Sequence, residues 1–256
     1  MKKLAVTSAV LAALMGAAPA IAGITLDVYG ERVTGTEKNE GLFGESSAKQ
    51  GVELAYGYEN LTLSAEATTG KDLDLGASYK FELGENFYLK PSAGFVYKWN
   101  KKDDDIEILD FTQFGTKSNV AKFGVEAGAA FGDFFASARY RIDTNTSKTG
   151  QRYVDSNNKT VENSARSSIG RTDLLVGYNL ENVTLTAKGI HKSELNKDIR
   201  SFNTHHRLLE SKTNSFWSSE LKATFTGYEG VAPYIQYAHN HDNHDNAIKL
   251  GAKFSF

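Results

Sequence analysis

The sequence predicts an all-β protein: a transmembrane antiparallel β-barrel of about twelve strands behind an N-terminal signal peptide. Three observations carry that prediction. Apolar and polar residues alternate through one stretch of roughly ten residues after another, and a period of two is the signature of a strand with side chains on opposite faces. Very short connections alternate strictly with a second set, most of which are long and polar. Aromatic residues gather near the two ends of the stretches.

The chain begins with Lys2 and Lys3, an apolar run from Leu4 to Met15, and Ala20-Ile21-Ala22 before Gly23. A positive head, a short apolar run and a small-x-small site mark a secretory signal peptide over residues 1–22. The competing reading is an N-terminal membrane helix, but the run is short and Pro19 precedes the small residues. Removing 1–22 takes two lysines and no acid from a chain of formal charge −2. The predicted domain is 23–256. No later stretch approaches ~18 consecutive apolar residues, so no helix is expected to span a membrane. Hydrophobic residues make up 40% and mean hydropathy is −0.40, too polar for a membrane helix bundle. The absence of cysteine excludes disulfides, thiolate metal sites and cysteine nucleophiles.

The alternation predicts strands over 24–34, 48–58, 61–69, 72–82, 87–98, 118–131, 134–144, 168–180, 183–193, 215–227, 231–240 and 246–256. Five connections are tiny: 59–60, 83–86, 132–133, 181–182 and 228–230. They hold the Gly, Asn and Asp of tight hairpins. The connections between them are 35–47, 70–71, 99–117, 145–167, 194–214 and 241–245. An even strand count puts both termini beside the short turns, as in bacterial outer-membrane barrels.

The faces are unequal. Over 121–131, Ala121, Phe123, Val125, Ala127, Ala129 and Phe131 alternate with Lys122, Gly124, Glu126 and Gly128. The same apolar face recurs on every strand, which fits apolar-out and polar-in. Tyr58, Phe81, Phe87, Phe131, Phe134, Tyr178, Phe225, Phe254 and Phe256 lie near the short-turn end. Tyr97, Trp99, Tyr140, Trp217 and Tyr237 lie toward the loop end. Two aromatic girdles are what two membrane interfaces select. The final strand ends on Phe256, with Ile248, Leu250, Ala252 and Phe254 on its parity and Lys249 and Lys253 on the other.

Parity also assigns the lumen. Its predicted cations are Lys80, Lys90, Lys98, Lys122, Arg139, Arg141, Arg171, Lys188, Lys222, Lys249 and Lys253. Its predicted acids are Asp27, Glu31, Glu53, Glu66, Asp72, Asp74, Glu126, Asp173 and Glu220. Acids concentrate on the first four strands and bases dominate from the fifth onward. A basic wall attracts small anionic solutes. Arg139, Arg141 and Arg171 could form a guanidinium ladder for carboxylates. Equally, they could pair with Asp143, Asp173 and Glu126 and only hold the wall together. Twelve strands leave a narrow pore or a lumen closed by loops.

The signal peptide, the twelve stretches, Arg139-Tyr140-Arg141 on the seventh and the final Phe254-Ser255-Phe256 resemble the oligogalacturonate-specific, acidic-sugar monomeric porins, the KdgM-like outer-membrane channels. The resemblance spans the whole mature chain. Ile142 stands where that family commonly has proline. The resemblance implies passive diffusion of acidic oligosaccharides across the cell outer membrane, with Arg139 and Arg141 lining the pore. It also implies that the barrel assembly machinery reads the chain end at Phe256.

Other candidates are weaker. His239, His241 and His244, with Asp242 and Asp245, fill one short connection; imidazole and carboxylate suit zinc, copper or nickel, but no further ligands are evident. His205-His206 reads the same way. The acidic run 103–110 lacks the spacing and central glycine of a calcium loop and suits an external loop meeting divalent ions at lipopolysaccharide or a loop folded into the pore as a constriction. A rim enzyme would need acidic partners across the barrel from His241. No enzyme activity or cofactor is expected; nor is a nucleic-acid partner, since there is no Gly-rich phosphate loop and the basic residues line a lumen rather than an exposed face. A non-conducting structural or adhesive barrel is the alternative to a channel.

Overall fold

The computed structural model describes residues 23–34, 47–69, 72–99, 106–108, 111–114, 118–154, 160–195, 215–242 and 244–256. The expected signal peptide lies outside these residues, as do His205-His206 and most of the acidic run. The chain runs through β1 (Ile24–Thr34), β2 (Ser47–Tyr58), β3 (Leu61–Thr68), β4 (Asp72–Tyr79), β5 (Phe81–Leu83) and β6 (Phe87–Lys98). Next come β7 (Ile106–Ile108), β8 (Phe111–Phe114), β9 (Val120–Phe131), β10 (Phe134–Asn145), β11 (Thr149–Val154) and β12 (Thr160–Ala165). It finishes with β13 (Ser168–Asn179), β14 (Val183–Glu194), β15 (Ser215–Phe225), β16 (Val231–Asn240) and β17 (Asn246–Ser255).

All pairings are antiparallel; in the barrel sheet each barrel strand pairs with the next barrel strand along the chain, with β7–β8 and β11–β12 left out of that sheet, and β1 closes on β17. The fourth barrel strand is β4 and β5 together. The break at Lys80 leaves the register on β6 unchanged, with Ser78 opposite Ser92 and Phe81 opposite Leu89. The barrel therefore has twelve strand positions, each within about two residues of the sequence prediction. Closure pairs every strand edge, which backbone in hydrocarbon requires. At the seam, Thr25 lies opposite Ser255, and Phe256 donates its N–H to the Ile24 carbonyl at 3.0 Å. Both ends of the barrel segment thus meet at the short-turn end.

Following the register once round returns to β1 displaced by about fourteen residues. That shear sets a strand tilt of about 39° and a backbone radius of about 12 Å. The turns follow the expected chemistry. Gly132 takes a φ of 59° at the first position of its two-residue turn, and Glu59 takes 50° at the equivalent place. Glycine does this freely, whereas Glu59 is an uncommon non-glycine in the left-handed region.

The barrel is built inside out. Among the described residues, the buried hydrophobics are only Tyr29, Val96, Ile190 and Tyr234. Leu63, Leu75, Phe123, Val125, Leu174, Leu221 and Leu250 are all exposed. These belong to one parity. The other parity makes contacts that skip a strand: Tyr29 on β1 bonds Glu66 on β3, and Lys122 on β9 pairs with Asp74 on β4. Strands two apart are separated by about 9.6 Å along a sheet, so such contacts close most easily across the concave side. The polar parity is the lumen face.

Rings on that face lie over glycines directly opposite on the next strand. Tyr29 covers Gly51 and Phe135 covers Gly177; a Cβ added at these glycines would sit 2.2 Å and 2.1 Å from ring carbons. Tyr88 over Gly128 and Tyr234 over Gly251 repeat the pairing.

One feature departs from the sequence reading. The connections 99–117 and 145–167 are not simply polar loops. They contribute β7, β8, β11 and β12 to a separate four-stranded sheet, in the order β12-β11-β8-β7. Below it, buried Ser118 accepts from the Ser147 N–H at 2.9 Å and bonds the Ser147 hydroxyl at 2.8 Å. The Thr146 N–H reaches the Asn119 carbonyl at 2.9 Å. These bonds tie the base of one loop to the base of the other.

Candidate functional site: the lumen wall

Strand alternation places the predicted lumen cations on one face. Register pairs Arg139 with Asp173, Arg141 with Arg171, Lys90 with Glu126, Lys188 with Leu175, Lys222 with Gln236 and Lys249 with Glu31. Lys98 lies opposite Asp72, and Lys122 opposite Gly94. Lys80 sits near the short-turn end beside Glu82 at 3.3 Å.

Both options left open for the arginines can now be weighed. Asp173, 4% exposed, accepts from Arg139 Nε at 2.8 Å and from Arg171 Nε at 2.7 Å. Arg141 donates to Asp143 at 2.8 Å, two residues along the same strand face. Glu126 is held instead by Lys90 at 2.9 Å and by the Tyr88 hydroxyl at 2.7 Å. Two of the three expected acceptors are thus used. Two guanidiniums converge on one carboxylate, so the cluster of Arg139, Arg171 and Asp173 keeps one excess positive charge facing the lumen.

Further round the wall, Lys188 pairs with Glu220 on β15. Lys222 Nζ lies 3.6 Å from the Tyr234 ring centroid, and Lys249 Nζ lies 3.4 Å from that of Tyr29. These are cation–π contacts, which hold an ammonium without neutralising it. The Tyr234 hydroxyl donates to buried Asp27 at 3.0 Å.

The parity reading omits two cations, Lys49 and Lys192. Both occupy the lumen parity, opposite Glu31 and Arg171 respectively. Their match in parity to Glu53 and Lys188 was the available signal. Lys192 lines a recess of about 250 Å³ near the loop end, with Ile169, Phe216 and Asn240. The lumen tyrosines were also missed, because the glycines that accommodate them become visible only once register is known.

At the rim, His239 Nδ1 lies 2.9 Å from the Asn246 amide oxygen and His241 Nε2 lies 3.2 Å from the Ser219 hydroxyl. Asp242 accepts the Trp217 N–H at 2.6 Å. The two imidazoles stack edge-on at 4.8 Å. Among the described residues, no group of three or more His, Cys, Asp or Glu is arranged to hold a metal.

A closed cylinder with an apolar exterior and an ion-paired lumen has the architecture of a transmembrane β-barrel of the outer-membrane type. No protein-family model and no curated protein matches the chain. Solved structures match its fold. The NanC porin aligns with a TM-score of 0.64 at 16% identity, over 90% of this chain and all of that one. An outer membrane channel from Pseudomonas putida F1 aligns at 0.63 and 13% identity, over 93% and 97% of the two chains. The KdgM porin in complex with disordered oligogalacturonate aligns at 0.54 and 13% identity, over 91% and 99%. At these identities the likeness is one of fold.

Proposed function

We propose that this chain is an outer-membrane channel that lets small anionic solutes, acidic oligosaccharides among them, diffuse passively through a partly basic lumen. The observation that carries the reading is the wall itself. Arg139, Arg141, Arg171, Lys90, Lys98, Lys122, Lys188, Lys222 and Lys249 share the lumen face, and several keep their charge without a carboxylate of their own. Fixed charges of one sign in a narrow aqueous pore enrich the opposite ion. The structures that resemble it in fold are described as porins and a channel, one of them holding an acidic sugar polymer, which supports the same reading.

On this reading, membrane lipid contacts the exposed apolar band, and lipopolysaccharide meets the loop end. The assembly machinery engages the final strand at Phe256. The barrel is a channel rather than an enzyme on this reading, and peptide and lipid substrates are expected not to be turned over. The test is Arg139→Glu with Arg141→Glu. Heat-modifiable migration on gels should show that the barrel still assembles, while its Cl⁻ over K⁺ preference in planar bilayers falls. Unchanged ion selectivity in an assembled double variant removes these two residues as filter elements.

A further inference from the structure

The lumen carries its charge in two opposed walls. Asp27, Glu53, Glu66 and Asp74 stand in one register row across β1, β2, β3 and β4. In a ring of twelve positions these strands lie six places from β10, β13, β14 and β15. Those four carry Arg139, Arg141, Arg171, Lys188 and Lys222 on the lumen face. Tracing the register with about 3.3 Å per residue and 4.8 Å per strand puts both groups within roughly 11 Å of one level on the axis. Opposite backbones are about 24 Å apart for this radius, and the side chains leave on the order of 10 Å between the charged heads.

Each wall keeps an excess of its own sign, although Lys253 lies opposite Asp27 and Lys249 sits over the Tyr29 ring on the acidic side. Asp74 pairs with Lys122 and Glu66 bonds Tyr29, but Glu53 forms no hydrogen bond or ion pair among the described residues. Lys222 rests its ammonium on the Tyr234 ring, whose hydroxyl donates to Asp27. Arg139 and Arg171 share the single carboxylate of Asp173. The acids on the basic side, Asp143, Asp173 and Glu220, are engaged by their own neighbours. The field in this section therefore runs across the pore, from the β10–β15 side toward β1–β4.

We propose that this lumen favours solutes carrying both an ammonium and a carboxylate group, such as amino acids and short peptides. The inference rests on the channel reading above and replaces a plain anion by a solute that also carries an ammonium group. A zwitterion turns its carboxylate toward Arg139, Arg171 and Lys222 and its ammonium toward Glu53 and its neighbours, so both ends gain at once. A neutral solute gains nothing from the field. A plain anion is attracted by one wall and repelled by the other, which weakens the preference that the bases alone would give.

The test is uptake of three isotope-labelled probes of nearly equal size into proteoliposomes holding the intact barrel. The probes are glycylglycine (zwitterion), N-acetylglycinate (anion) and N-acetylglycinamide (neutral). Wild type should take up glycylglycine about threefold faster than N-acetylglycinamide. In Glu53→Gln with Glu66→Gln that ratio should fall to about one, while N-acetylglycinate gains. Should this double variant fail to assemble, Glu53→Gln alone supplies the comparison, since Glu53 has no hydrogen bond to lose. Glycylglycine entering wild type no faster than N-acetylglycinamide overturns the proposal and leaves the channel standing. Entry of none of the three probes overturns the channel reading, and this inference with it.

Discussion

Asp173→Asn is the sharpest single perturbation of the lumen. Asp173 is buried and receives both Arg139 and Arg171. The amide keeps the shape and one acceptor oxygen but removes the negative charge, so two guanidiniums face the lumen unopposed. A unit charge about 6 Å from a permeating ion in water is worth about 0.7 kcal/mol. Screening over a Debye length of about 8 Å roughly halves this, to about 0.3 kcal/mol. The change favours an anion and disfavours a cation by that amount, so the Cl⁻ to K⁺ permeability ratio should rise about threefold. The assay is the reversal potential of single channels in a KCl gradient, compared with wild type. Assembly should survive, because Arg139 and Arg171 remain partly open to water, which blunts the penalty of an unpaired charge. An assembled variant with an unchanged ratio, or one shifted toward K⁺, would refute the placement of this cluster in the ion path.

Two other substitutions test the architecture. Leu221, 58% exposed, lies midway along β15 between Trp217 and Phe225 on the apolar parity; Leu221→Arg should cost about 2–4 kcal/mol in a lipid-based unfolding titration, whereas a soluble sandwich would tolerate it at an exposed site. Gly51→Ala drives a methyl into the Tyr29 ring, which also holds Glu66 and Lys249; overpacking of this kind should cost about 1–3 kcal/mol, read as a lower urea midpoint in micelles, and Tyr29→Ala in the same background should recover part of it.

The barrel strands were legible because each is long enough for period-two alternation to repeat several times, and because a one-residue slip would put Asp27 or Arg139 into lipid. Glu59-Asn60 and Gly132-Asp133 fixed the hairpins by turn chemistry. The second sheet was not legible: Ile106–Ile108 and Phe111–Phe114 are too short to show a period, and the pairing of Phe111–Phe114 with Thr149–Val154 joins segments far apart in the chain. Parity put Arg139, Arg141 and Arg171 on one face, and the register keeps them on one face. Parity does not give register, so it could not say that Asp173 would meet both Arg139 and Arg171 while Arg141 took Asp143. For the same reason it could not pair Tyr29 with Gly51. The opposition of acidic and basic walls required strand order around the ring, which only closure of β1 on β17 supplies.

The central claim is that ions pass along the axis of this cylinder and that its basic side decides which pass more readily. Single-channel recording of the wild-type barrel in a KCl gradient tests that most directly. Discrete conductance steps with a reversal potential favouring Cl⁻ over K⁺ are the predicted result. Silence from a heat-modifiable, fully assembled barrel, or a reversal potential favouring K⁺, would contradict it.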